Sequence, residues 1–373
     1  MSDYHFYDFY AIDRPLSAEQ INIISGYSSR VRPSARRASF VYNYSDFLGG
    51  GEEMLSEFFD IMLFVTNWGI RRLLMKFPQS LVSFEALKEY EIDAADAYDQ
   101  EIKVFQNGTN VLVDFFYVIE YGDWIEGEGM LDELLPLRDQ ILNGDYRVMY
   151  LAWLHLASEK HGISDDLLEP SLPANLKELD YSLDSFVNFW EIDEDLVTAA
   201  SENSKQVLDI PDESLQSQIE QLSEEEKNQY LKDLVVNEGM TRIMLRRQLA
   251  AFCGEPNVEP ILQARSMREI KETVAKQREI RKEEARKAAE KAYLQKMVKI
   301  EKEELDLWQE IRDNADLKKA RGYARATEIL VELKEYYAFK QRPDSFNNRV
   351  SNQLLVYGKS EAFKRRLVSN GII

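Results

Sequence analysis

The sequence predicts an α+β fold: an N-terminal mixed β-sheet with helices, then an all-α region with a long charged helix and a C-terminal helical bundle. Three observations carry this. Between residues 4 and 121, short runs with apolar side chains at every second position alternate with helical stretches and turn residues. From Met130 the recurrence changes to every third or fourth position. Between Pro260 and Gly322 there is neither proline nor glycine, and the strong helix formers Ala, Glu, Lys, Arg and Gln dominate. The divisions give a mixed α/β sheet domain over 1–125, a helical domain over 126–260, a long basic helix over 261–316 and C-terminal helical hairpins over 317–373. With 373 residues, 45% of them apolar, the chain can build real cores, so collagen-like, mucin-like and wholly disordered classes are excluded.

The ring-rich run from Tyr4 to Tyr10 suits a strand. Ser17 with Gln20 three positions on has the spacing of a capping box, and Ile21 and Ile24 supply the apolar stripe of the helix it opens. Ala38, Phe40, Tyr42 and Tyr44 then share one strand parity, and Arg37, Ser39 and Asn43 the other. Gly49–Gly51 precede a short helix carrying Met54, Leu55, Phe58 and Phe59. The wholly apolar run Ile61 to Val65 reads as a central strand. Asn67-Trp68-Gly69 turns the chain into a strand with Leu73, Met75 and Phe77 on one side, followed by a helix near 81–90. Asn107-Gly108 marks a hairpin into a long strand lined by Val111, Val113, Phe115, Tyr117 and Ile119, because this dipeptide tolerates the positive φ of a tight turn.

Met130, Leu134, Leu137 and Ile141 form one helical stripe, and Tyr146, Met149, Tyr150, Trp153 and Ala157 the next, with Asn143-Gly144 between. Further helices are expected around Leu183 to Trp190 and Asp193 to Ala200. Another begins at Ser223, where Glu226 completes a capping box and Tyr230, Leu231, Leu234 and Val235 make the stripe. One more runs through Leu245, Leu249 and Phe252. The long helix is expected over about 263–312, roughly 75 Å at 1.5 Å per residue. Between Ala275 and Lys291 its one large aliphatic residue is Ile280, so this stretch reads as solvated, helped by Glu272–Lys276 and Glu283–Lys287 pairs. Apolar spacing resumes at Tyr293, Met297, Ile300, Leu307, Trp308 and Ile311. Helices through Leu330 and Tyr337, Val350 to Val356, and Phe363 to Val368 close the chain.

Charge is split along the chain. From Ile261 onward there are 26 basic and 18 acidic residues, against 20 and 48 before it, for a net charge of −20. That balance argues against a protein coating nucleic acid along its whole surface. A single cysteine, Cys253, fits a reducing compartment, and the first ten residues lack a secretory pattern, so a cytoplasmic location is expected. No apolar run approaches the roughly 20 residues that span a bilayer.

Few residues suggest chemistry. His5, His155, His161 and Cys253 cannot supply a standard structural zinc site, and no cofactor motif is present. Glu52 and Glu53 directly after the glycine run would repel a phosphate, so that run reads as a turn. Asp93, Asp96 and Asp99, or Glu120, Asp123, Glu126 and Glu128, could ligate Mg²⁺ or Ca²⁺, but chance clusters are expected in so acidic a segment. Arg71 with Arg72, and Arg36 with Arg37, could bind an anion on the sheet, but strand positions facing water explain them as well. An RNA-recognition signature aligned on Phe40-Val41 places Ala38 and Asn43 where rings belong, so these rings are expected in the core.

The basic helix is different. Arg265, Arg268, Lys271, Lys276, Arg278, Arg281, Lys282, Arg286, Lys287, Lys291, Lys296 and Lys299 outnumber the six acidic residues of 265–299 two to one. Such a helix could follow a phosphate backbone, dock on the acidic part of its own chain, or pair with another protein.

The stretches Tyr7-Asp8-Phe9-Tyr10-Ala11-Ile12-Asp13-Arg14-Pro15-Leu16, Asn67-Trp68-Gly69-Ile70-Arg71-Arg72-Leu73 and Phe363-Lys364-Arg365-Arg366-Leu367 resemble a widespread family of uncharacterised bacterial proteins. The resemblance implies a partner with a SWIM-type zinc finger, since members tend to be encoded beside such proteins; it brings no catalytic residue. The strongly charged 264–312 helix departs from the family. Missing chemistry and split charge together favour a non-enzymatic interaction or scaffold subunit of a cytosolic complex. A nucleic-acid-associated accessory protein using the 265–299 helix is the alternative, and an enzyme with a carboxylate-bound metal the third.

Overall fold

The computed structural model describes residues 4–29, 31–43, 49–92, 100–119, 125–159, 163–207, 216–236, 244–247, 249, 264–357 and 360–373. Six strands form one sheet: β1 (Tyr4–Tyr10), β2 (Arg37–Asn43), β3 (Ile61–Thr66), β4 (Ile70–Pro78), β5 (Glu101–Asn107) and β6 (Asn110–Val118). Their spatial order is β2-β1-β3-β4-β6-β5 and every pairing is antiparallel. The α+β class holds, with a sheet that is antiparallel throughout. Turns at Asn67–Gly69 and Gly108–Thr109 and the connection from Tyr10 to Arg37 reverse the chain between hydrogen-bonded neighbours, whereas β2 to β3 and β4 to β5 each cross over one intervening strand. Gly108 takes the positive φ, +61°, that the two-residue hairpin requires.

The apolar run of β3 is buried on both faces, as a central strand demands. Met62 and Phe64 join Tyr7, Phe9, Phe40, Leu74 and Leu112 on one side, covered by α1 (Ala18–Ser25) and α2 (Gly51–Phe58). The capping box of α1 forms: Ser17 Oγ accepts from the Gln20 amide and Gln20 Oε1 from the Ser17 amide. Ile61, Leu63 and Val65 join Leu73, Met75, Phe77, Val113 and Phe115 on the other side. The helix expected near 81–90 is only α3 (Phe84–Lys88), because the Ser83 hydroxyl caps the Ala86 amide and starts it late.

Four helices complete the second face of the sheet: α4 (Met130–Leu142), α5 (Arg147–Glu159), α6 (Tyr181–Phe189) and α7 (Glu194–Ser201). Their apolar stripes, including Leu134, Leu137, Met149, Leu183, Phe186 and Trp190, lie in the same core as the sheet residues. The side-chain period changes at 125/126, and residues on both sides bury the same apolar layer. Helix α8 (Glu224–Val236) has its Ser223–Glu226 capping box. Of its expected stripe, Tyr230 packs with Leu222, Leu245 and Leu249, whereas Leu231 and Val235 are exposed.

The chain divides into two compact units, Met1–Gln277 and Arg278–Ile373, with the division inside one helix, α9 (Met267–Asp316). A Ser266–Glu269 capping box starts it and Lys318, at φ +48°, follows its end. Met267, Ile270 and Val274 belong to the core of the first unit. In the second unit, Met297, Ile300, Leu307, Trp308 and Ile311 pack with α10 (Ala320–Phe339), α11 (Pro343–Tyr357) and α12 (Glu361–Ser369). No residue from 275 to 296 is buried. Among the described residues no helix is long and apolar enough to cross a membrane.

Candidate functional site

The twelve basic residues singled out in the sequence do not form one surface. Arg265 belongs to the interior of the first unit: its Nε and Nη2 donate to Glu169 Oε1 and Oε2 at 2.8 and 2.9 Å, and its remaining donors reach the carbonyls of Ala199 and Ala200. Burial of Arg265 lowers its pKa, but the hydrogen bonds and charge of Glu169 together with Tyr150 raise it overall. Tyr150 donates its hydroxyl to Glu169 Oε2, and burial followed by the Glu169 charge pushes the phenol up. Arg268 pairs with Asp166 at 3.0 Å and Lys271 with Asp165 at 2.8 Å, both exposed. These three residues fasten the start of α9 within its own unit.

Beyond Gln277 the basic side chains of this set are solvated. Lys282 pairs with Glu279, Arg286 with Glu283 and Lys287 with Glu283, all within one turn. Lys296 pairs with Glu335 of α10 at 2.7 Å. Arg278 and Arg281 are exposed and engaged. Lys276, Lys291 and Lys299 are exposed and have no ion-pair or hydrogen-bond partner among the described residues. Of the two expected i,i+4 pairs, Glu283–Lys287 forms at 3.6 Å and Glu272–Lys276 does not. At about 100° per residue, the basic positions after 277 wind around the helix instead of lining one side. A phosphate backbone can meet only a minority of them at once.

One signal was missed. Leu294, Val298 and Leu305 are exposed on a face of α9 distinct from the one carrying Met297, Ile300, Leu307 and Ile311 into the bundle. Their 4- and 7-residue spacing, continued backward to Ile280 through Lys291 and Lys287, is readable in the sequence. Which of the two stripes is buried is not.

The other candidate residues are committed internally. Arg37 pairs with Asp8 and Asp132, Arg72 with Asp114, Arg71 with Glu191 and the Phe189 carbonyl, and Arg36 with the carbonyls of Ala11 and Ile12. The expectation that these arginines face water is corrected: Arg71 is buried, and each guanidinium has fixed partners. Tyr7, Phe9 and Phe40 lie in the core, where they offer no face to a base. Gly50 takes φ +65° and a side chain on Gly51 would collide with Met62, which accounts for the glycine run as a turn and a close approach. His155 is buried beside Tyr117 and Trp190, and burial lowers its pKa to about 4. Among the described residues no three His, Cys, Asp or Glu side chains gather as a metal site. Asp93, Asp96, Asp99, Glu120, Asp123, His161 and Cys253 lie outside the described residues.

Comparison with known proteins gives no match to a family model, a curated protein or a solved structure.

Proposed function

We propose that the chain is a non-enzymatic interaction or scaffold subunit of a cytosolic complex, with the solvated length of α9 as its contact surface. One observation supports this above the rest: from 275 to 296 an unbroken helix buries no residue, while both of its ends are anchored in apolar cores. A helical stretch that buries none of its side chains gains little stability from its own surface, so what holds it is the packing of its ends, and its middle is left free for contact. A protein carrying a SWIM-type zinc finger, implied by the family resemblance, is the first heterologous partner to seek.

Affinity capture from the native cell tests the reading. Wild-type chain should retain a stoichiometric protein partner, and a variant with Lys276, Lys291 and Lys299 changed to glutamate should lose it. Equal recovery by both removes the role of α9. Tight duplex binding with a steep loss on added salt would replace the reading with a nucleic-acid one.

A further inference from the structure

We propose that α9 pairs antiparallel with α9 of a second copy of this chain, through the face carrying Ile280, Lys287, Lys291, Leu294, Val298 and Leu305. The inference rests on the scaffold reading and names one partner for its contact surface.

The face is defined by spacing and exposure. Its residues are separated by 7, 4, 3, 4 and 7 positions, the repeat that keeps side chains on one seam of paired helices. The four aliphatic members are between 45% and 74% exposed, although the opposite spacing on the same helix is fully used by the bundle. Lys287 and Lys291 sit between them, and lysine stems can cover apolar surface while the ammonium groups stay wet.

The charge along α9 selects the occupant and its direction. From 278 to 299 there are eight basic and four acidic residues; from 301 to 316 there are two and seven. A parallel copy would set like-charged segments side by side. An antiparallel copy sets the basic segment of each chain beside the acidic segment of the other. A crossing centred near residue 296 places Leu294 opposite Val298 of the second copy, and Lys291 opposite its Glu301. Lys287 then lies beside its Leu305. Four exposed aliphatic residues per copy make a small interface, below the roughly 1,200 Å² of stable complexes, so the dimer is reversible and concentration-dependent.

Sedimentation equilibrium of the purified full chain over the micromolar range tests the pairing. The expected result is a monomer–dimer equilibrium that weakens as salt rises. Leu294→Glu with Val298→Glu, and independently Leu305→Asn, should weaken it by at least about tenfold while helicity is kept, since all three sites are exposed. Direction is read in a Cys253→Ser background by mixing L294C chains with V298C chains: antiparallel pairing forms the mixed disulfide faster than either like-with-like disulfide. Faster like-with-like products overturn the proposed direction. A chain that stays monomeric but still captures its heterologous partner overturns self-pairing and leaves the scaffold reading standing. A monomer that captures nothing overturns both.

Discussion

Arg265 and Glu169, 96 positions apart, share two parallel hydrogen bonds, and each backbone amide is also held: Arg265 N by Glu169 Oε1 at 3.0 Å, Glu169 N by the Arg265 carbonyl at 2.8 Å. Glu169 is buried, so the pair ties the residues entering α9 to the first unit through a charge that water does not solvate. Removing one member strands the other. Arg265→Ala should destabilise the first unit by about 3–5 kcal/mol, whereas replacing both residues with methionine should cost clearly less. Chemical denaturation of the two variants measures the difference. Equal losses would mean that the backbone bonds, not the charges, hold the junction.

His155 makes stability depend on pH. Its pKa is lowered to about 4 by burial, against about 6.5 in an unfolded chain. Above pH 6.5 both states are neutral and the residue contributes no pH dependence. As pH falls from 6.5 toward 4 the unfolded state takes up the proton first, so stability is lost, by up to roughly 3 kcal/mol, and the loss levels off below 4. Comparing wild type with His155→Leu across this window isolates the effect, and the variant should show the shallower slope.

Gly322 opens an opposite test of helix propensity. Alanine is ordinarily favoured over glycine inside a helix by about 1 kcal/mol. Here a Cβ would lie 2.3 Å from the Asn314 carbonyl oxygen, a backbone atom at the end of α9. Gly322→Ala should therefore destabilise the second unit, by about 1–3 kcal/mol, and a thermal melt showing stabilisation would contradict the packing.

The middle of α9 should open more readily than its ends. Hydrogen exchange should be fastest for amides between 278 and 292 and slower in 267–274 and 297–311, because only the latter stretches carry buried side chains. Trypsin under native conditions should cut first between Arg278 and Lys291. Uniform protection along the helix would indicate that something covers its middle.

Much of this was legible in the residues. Side-chain period placed the strands, turn and capping residues placed the Asn107-Gly108 hairpin and the capping boxes at Ser17 and Ser223, and composition placed a long helix unbroken by glycine or proline, because each is decided within a few neighbouring residues. The scarcity of large aliphatics from 275 to 291 also foretold that no side chain there is buried. Only the tertiary structure decided the fate of the charges. Arg37, Arg71, Arg72 and Arg265 look like free cations in sequence, and each meets a carboxylate between 29 and 120 positions away, a distance over which local pattern carries no information. It also decided that sheet and helices share one core. On α9 it decided which apolar stripe the bundle covers, since two stripes of similar spacing can be told apart only by where α10 and its neighbours pack.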